Sequence, residues 1–368
     1  MKPLRAWLGC LAWVMVMGGC ILPASGRPPA EARPDGAPGG GGCPTGQCDP
    51  DPNGLGIYIT EGHNYCFVHE KSAPLCPEGF VNTPEGVVMK VRSRAKPHTV
   101  LDIPVALSPR KQSEGRTLAG IHAAPTGFFV AVAEQGSERK VQGEDLEALR
   151  LTFTLPVDVV DGDTLNRAYE MGWQSLGGNR LRVLYRQVGT EPWLRQCAAP
   201  ESADVASLLL PARRVDGLSA AVQGLDTATT LACETGAIGA CLGWGYQPWD
   251  PTTLQDDPDR AVAYGACLQA KRAAYFVGLG DLQTYTVSGT DFLRRDAHGF
   301  GIRSSDRLDE LEHVEALWSP RGAECLNPMN RRRDLPLPKG LQLPLCGGSP
   351  QWSATGTFAT GVPRPLKF

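Results

Sequence analysis

The stretch DRAVAYGACLQAKRAAY, Asp259–Tyr275, decides the fold class, because it carries the clearest helical period in a chain whose other apolar runs are short. Ala261, Ala263, Tyr264, Cys267, Leu268 and Lys271 recur at helical spacing and give one mostly apolar face, with Asp259 near the start. Outward from it, Gly86–Val91, Gly127–Ala133, Leu149–Leu155, Leu181–Arg186 and Val314–Trp318 read as strands. Turn-rich segments such as Asp161-Gly162-Asp163 and Gly177-Gly178-Asn179 separate several of them. Ile57–Ile59 and Tyr65–Val68 read as two shorter strands about a turn at Glu61–Asn64. The 43 Gly and 31 Pro favour turns and short strands over a helical bundle. The expected class is α+β and β-rich: a short-stranded, disulfide-stabilised body with at least one helix at about 259–275. A β-rich domain is expected over residues 55–200 and a cysteine-rich one over 201–368, with no repeat of fixed period.

The N-terminus reads as an address. Lys2 and Arg5 precede an apolar run from Ala6 to Met17, which ends in Gly18, Gly19 and Cys20. These are the basic, apolar and small-residue parts of a secretory signal, expected over residues 1–19. The run is shorter than the roughly 20 residues that cross a membrane core. Met17-Gly18-Gly19-Cys20 resembles the bacterial lipobox, with Met in place of the usual Leu and a tolerated Gly at 18. That resemblance implies acylation of Cys20, and several acyl chains would hold the protein on the membrane permanently. Ile21 stands where an aspartate would retain a lipoprotein at the inner membrane, which implies the outer membrane or cell surface; the alternative is a soluble secreted protein. Residues 20–54 are expected to be a lipid-anchored, disordered tether. Its segment ILPASGRPPAEARPDGAPGGGG (21–42) would span about 25 Å as a flexible chain.

Ten cysteines follow Cys20: Cys43, Cys48, Cys66, Cys76, Cys197, Cys233, Cys241, Cys267, Cys325 and Cys346. Their even number and the export signal favour disulfides. A metal site would want C-x₂-C pairs with nearby histidines, and the closest spacings here are Cys43-x₄-Cys48, Cys233-x₇-Cys241 and Cys66-x₉-Cys76. Five pairs can connect in roughly 900 ways, so the connectivity stays open; loops 43–48 and 66–76 are the simplest local guesses.

The second half holds an ordered set of motifs. LACETGAIGAC (231–241) is followed by Trp244-Gly245-Tyr246-Gln247-Pro248-Trp249, then YGACLQAKRAAYF (264–276), Tyr285-Thr286, Gly289-Thr290 and WSPRGAEC (318–325). The set resembles the ADYC domain, found mostly in exported myxobacterial proteins of unassigned function, over residues 180–330. The upstream stretch Leu181–Cys197, with Tyr185-Arg186 and Trp193, resembles the region preceding that domain. The name-giving Ala-Asp-Tyr-Cys stands here as Ala273-Ala274-Tyr275-Phe276, without the aspartate or the cysteine. The resemblance therefore implies that a partner of the lost cysteine, Cys267 or Cys325, pairs otherwise or stays free. Physically, Trp244, Tyr246 and Trp249 beside Cys241 read as rings packed on a disulfide. Gly236, Gly239 and Gly245 allow the tight backbone this needs; the alternative is an exposed aromatic platform for glycan or peptide.

No catalytic or metal signature stands out, and no cofactor is expected. Asp49-Pro50-Asp51-Pro52-Asn53-Gly54 copies half of a calcium loop, but Thr60 occupies the twelfth position, Glu61 is one residue late and two prolines stiffen it. Asp161-Gly162-Asp163 reads as a hairpin turn. His63, His69, His98, His122, His298 and His313 contain no H-E-x-x-H, and a zinc site from Glu61, His63, His69 and Glu70 is the weaker reading. No G-x-S-x-G elbow occurs, and Ser137-Glu138-Arg139-Lys140 reads as a solvated loop. Arg331-Arg332-Arg333 reads as solvated surface. The formal net charge of −3 gives no electrostatic reason to expect nucleic acid. The expectation is a non-enzymatic surface or periplasmic binding or structural module, attached to the membrane by its lipid and facing an envelope or extracellular partner. A secreted hydrolase with residues that meet only in the fold is the rival.

Overall fold

The computed structural model describes residues 75–93, 98–109, 115–158, 164–177, 180–190, 193–197, 205–234, 236–277, 292–301, 314–332, 340, 342–347 and 350–362. The signal over 1–19, Cys20, the tether, Cys43, Cys48, Cys66, the strands at 57–59 and 65–68, the half calcium loop, Asp161-Gly162-Asp163, Tyr285-Thr286, Gly289-Thr290, His63, His69, His313 and Arg333 lie outside the described residues.

Strands come first along the chain. They are β1 (Leu75–Thr83), β2 (Gly86–Ser93), β3 (Val100–Leu107), β4 (Arg116–Ala124), β5 (Gly127–Glu134) and β6 (Ser137–Val141). A 3₁₀ turn at Gly143–Ala148 leads into β7 (Arg150–Asp158), β8 (Thr164–Ser175), β9 (Arg180–Gln187), the two-residue β10 (Leu194–Arg195), β11 (Ser207–Val215) and β12 (Val222–Cys233). Eight of them pair antiparallel in the ring β1-β2-β3-β7-β8-β9-β11-β12. The ring closes because β12 returns to β1 (Gly79↔Thr230) and β9 pairs with both β8 (Met171↔Tyr185) and β11 (Leu181↔Ser207). The result is an eight-stranded antiparallel barrel, which leaves no open sheet edge in the ring.

The barrel follows from period-2 patterning. Met89 and Val91, Leu151, Phe153 and Leu155, Tyr169, Met171 and Trp173, and Leu181, Val183 and Tyr185 alternate inward and are all buried in one core. Lys90, Asp102, Thr152, Thr154 and Arg182 alternate outward. This is the reverse of a lipid-spanning barrel, whose outer face is an apolar band. The strands β4, β5 and β6 form a separate three-stranded sheet inserted between β3 and β7. It adds Leu118, Ile121, Phe128, Val130, Val132 and Val141 to the barrel core. Asn82 fastens it by bonding both backbone groups of Ile121, at 3.0 and 2.9 Å.

The second core begins on the outer face of the last hairpin. Leu209 and Leu231 belong to the barrel core, whereas their neighbours Leu210 and Ala232 face the other way. Against that face pack α1 (Ala237–Gly243) and α2 (Pro258–Arg272). A four-stranded antiparallel sheet completes this part: β13 (Leu293–Asp296), β14 (Val314–Ser319), β15 (Gly322–Leu326) and β16 (Phe358–Gly361), in the order β13-β16-β14-β15. β11 and β12, which lie past residue 200, therefore serve the barrel and the second core together.

The expected helix is present but differently bounded. Its N-cap is Asp257, whose carboxylate accepts the backbone N–H of Asp259 (2.9 Å) and Arg260 (3.1 Å), with Pro258 at the first helical position. It ends at Arg272, short of Tyr275, because Ala273 adopts a left-handed φ of 54° as the C-cap.

Disulfides staple the second core. Cys197–Cys233 ties the segment after β10 to the end of β12, Cys241–Cys267 ties α1 to α2, and Cys325–Cys346 ties β15 to the extended segment 342–347. Cys76 is also disulfide-bonded, to a partner outside the described residues. Cys267 and Cys325 thus both have partners despite the phenylalanine at 276. A Cβ on Gly239 would collide with the Cys233 carbonyl, so the close approach of α1 to β12 requires glycine there.

Candidate functional site

The degenerate name-giving motif sits at the C-terminus of α2, where the left-handed cap at Ala273 redirects the chain. The Ala274 N–H donates to the Gln269 carbonyl (3.0 Å), and the backbone turns so that Tyr275 enters the second core. Its ring stacks on Trp318 at 5.1 Å, and its hydroxyl donates to Glu315 Oε1 at 2.5 Å. Glu315 lies on β14 and pairs with Arg332, both side chains being 0 % exposed. Arg332 Nε donates to both carboxylate oxygens at 3.0 Å, Nη2 donates to Oε2 at 2.5 Å, and the Arg332 backbone N–H donates to Oε1 at 3.1 Å. Thr360 on β16 donates to Oε2 (2.7 Å) and accepts from the Trp318 indole (2.7 Å). Arg332 Nη1 finds the Ala270 carbonyl at 2.9 Å.

The electrostatics of the cluster come from that pairing. Burial acts to raise the Glu315 carboxyl, but the Arg332 guanidinium and the donors Tyr275 and Thr360 outweigh it and hold it below its ordinary value. Burial acts to lower Arg332, and Glu315 more than reverses this. Tyr275 is raised, first by burial and then by the charge of Glu315, so it stays a phenol and a donor. Both Glu315 oxygens are engaged by the protein's own donors. The arrangement is a buried clamp joining α2, β14, β16 and the segment at 332. The expectation that Arg331-Arg332-Arg333 is solvated surface is corrected here: Arg331 and Arg332 are both buried. Local sequence carries no sign of this, because the partners stand 40 and 17 residues apart.

Beside the clamp, cations stack on rings. Arg332 lies 4.0 Å over Phe292, Arg294 lies 4.1 Å over Trp244, and Lys271 lies 5.8 Å from the same Trp244 ring. Burial, then Arg332 and Arg294, push the Lys271 ammonium down to about 8. Tyr246 and Trp249 are buried in the second core, Tyr246 edge-on to Phe358 at 5.0 Å. The three aromatics after Cys241 therefore do not form an open platform; Trp244, the most accessible, is roofed by cations.

A second polar bridge joins the two cores. Arg92 on β2 pairs with Glu78 on β1 and, at 2.6 Å, with Asp216 in the β11–β12 turn. The Gly217 N–H donates to Glu78 at 3.1 Å. From the other side, Gln269 and Arg272 of α2 donate to the carbonyls of Ser219 (2.9 Å) and Leu218 (2.6 Å). Burial acts to raise the Asp216 carboxyl, but the Ser219 N–H and Arg92 hold it down at about 2. A carboxyl lowered on folding stabilises the native state above its unfolded pKa, near 3.9, and that contribution disappears as the pH falls through its native value. Urea midpoints of wild type should therefore fall more steeply between pH 4 and 2 than those of Asp216→Asn; parallel curves would deny the bridge its role.

The residues of the weaker zinc reading, Glu61, His63, His69 and Glu70, lie outside the described residues. His98 is exposed, His122 stacks on Phe129 at 4.9 Å, and His298 stacks on Phe300 at 4.8 Å. Among the described residues no three His, Cys, Asp or Glu are grouped to hold a metal ion. Ser137-Glu138-Arg139-Lys140 is exposed, as a strand edge rather than a loop, with Lys140 4.6 Å from the Phe129 ring. No described helix is long and apolar enough to cross a membrane.

A closed barrel sharing its last hairpin with a disulfide-stapled helix-and-sheet core defines a β-rich α+β protein, and its disulfides fit an oxidising compartment. The ADYC domain model matches residues 137–332, over half of the chain, and the chain belongs to the ADYC domain family. The match runs from the start of β6 to Arg332, so it takes in Tyr275, Glu315 and both cysteine pairs that end before 268. No curated protein and no solved structure matches the chain.

Proposed function

We propose that the protein is an exported lipoprotein, anchored through Cys20 on the outer membrane or cell surface, whose folded body is a binding or structural module of the envelope. The observation that carries the non-enzymatic reading is the saturation of Glu315. This fully buried carboxylate is spent on internal partners. The basic and apolar leader, the residues around Cys20 and the Pro/Gly-rich spacer support the anchor, and the disulfides agree with export.

Growth with radiolabelled palmitate should label the wild type and leave Cys20→Ala unlabelled and released from membranes. An unlabelled wild type, or label that survives the substitution, overturns the anchor. For the module, crosslinking in intact envelopes should capture a defined partner that a Cys20→Ala protein reaches less often. Turnover of a peptide or glycan panel by the purified body would replace this reading with a hydrolase.

A further inference from the structure

We propose that Cys325–Cys346 is an exchangeable disulfide that latches segment 342–347 onto the edge of β15, and that a dithiol reductant opens it while the other described disulfides stay closed. The reading needs only the folded body and holds whether or not Cys20 is acylated.

Access separates this bond from the two other fully described pairs. Cys233, Cys241 and Cys267 are 0 % exposed and Cys197 is 4 % exposed, so their sulfurs are shut inside the protein. Cys325 and Cys346 are half-buried and line an open groove with Glu324, Leu345, Gly347 and Gln351. Thiol–disulfide exchange needs an attacking thiolate to reach a sulfur along the S–S axis, so accessible pairs exchange first.

The bond also holds something that can move. Segment 342–347 has no regular structure and lies along β15, the edge strand of the four-stranded sheet. One backbone hydrogen bond joins them, from the Leu326 N–H to the Pro344 carbonyl at 2.9 Å. Cys346 covers Leu293 and Val314, a small apolar cluster of their own, while Leu345 points outward and is 74 % exposed. Without the bond, one hydrogen bond, this small contact and the packing of the partly buried Leu343 on the second core would have to offset the conformational entropy of six ordered residues, at about 1–2 kcal/mol each. The segment should then leave, baring the β15 edge and the Leu293–Val314 pair.

The chemistry balances with a dithiol. Its thiolate attacks one sulfur of the pair, a mixed disulfide forms, and the other cysteine leaves as a thiolate that takes a proton. The second thiol of the reductant then attacks the mixed disulfide, frees the remaining cysteine and closes the reductant into its own disulfide. The protein gains two electrons and two protons, and the dithiol loses both.

The test is graded reduction of the folded full chain by dithiothreitol, acid quenching, alkylation and peptide mass spectrometry. Cys325 and Cys346 should be alkylated at least about ten-fold faster than Cys197, Cys233, Cys241 and Cys267. Alkylation of all six together, or earlier opening of either buried pair, overturns the exchange claim. Hydrogen exchange on the selectively reduced protein should show lost protection at the Leu326 amide with α2 still protected. A Leu326 amide that stays protected, there and in Cys325→Ser/Cys346→Ser, overturns the latch.

Discussion

Replacing Arg332 by methionine should destabilise the protein by about 3–5 kcal/mol, because it strands a fully buried carboxylate. Glu315 is 0 % exposed, and Arg332 supplies both its countercharge and most of its donors. Tyr275, Thr360 and the backbone N–H of residue 332 would still donate, but neutral donors do not replace a bidentate guanidinium. The urea midpoint should fall with little change in slope, the signature of lost stability without lost compactness. Adding Glu315→Leu to Arg332→Met should restore more than half of the loss, since an apolar pair of similar volume often does as well as a buried ion pair. A double variant as weak as the single would place the cost in packing and not in the stranded charge.

Trp173→Ala should cost about 3–5 kcal/mol by opening a cavity in the barrel. Trp173 is 2 % exposed, and its ring meets Phe80 at 6.0 Å and Phe128 at 5.6 Å, so it joins β8 to β1 and to the inserted sheet. Its indole N–H is buried without a hydrogen-bond partner, a group whose desolvation costs about 1–3 kcal/mol. Trp173→Phe keeps much of the ring and removes that donor, so it should lose under about 1.5 kcal/mol. Thermal melts of the two variants decide the point: equal losses would mean that the indole nitrogen, and not the ring, is the group that matters.

The strands legible in the sequence share one property. β2, β5, β7, β9 and β14 alternate or run apolar residues over five or more positions, so their period shows without neighbours. Strands that escape a local reading break that pattern for local reasons. β1 holds Pro77 and Gly79, and β3 holds Pro104. Proline and glycine demote a strand read alone, yet here the ring supplies partners on both sides. Ala273 hides the end of α2, because alanine gives no warning of a left-handed cap. At the candidate site Tyr275 lies in a legible motif, but nothing near Glu315 or Arg332 distinguishes a buried ion pair from surface charge.

Composition and short-range pattern thus determined by themselves the β-rich α+β class, the helix at about 259–275 and the use of cysteines as staples. Such features depend on residues within a few positions of one another, where backbone geometry sets the period. Only the tertiary structure decided that the strands close into a barrel, which cysteines meet, and that Arg332 lies inside. Those outcomes rest on contacts such as Leu181↔Ser207, Cys197–Cys233 and Tyr275–Glu315, between residues 26, 36 and 40 positions apart. Their energy depends on where the intervening chain places both partners, and no local period encodes that.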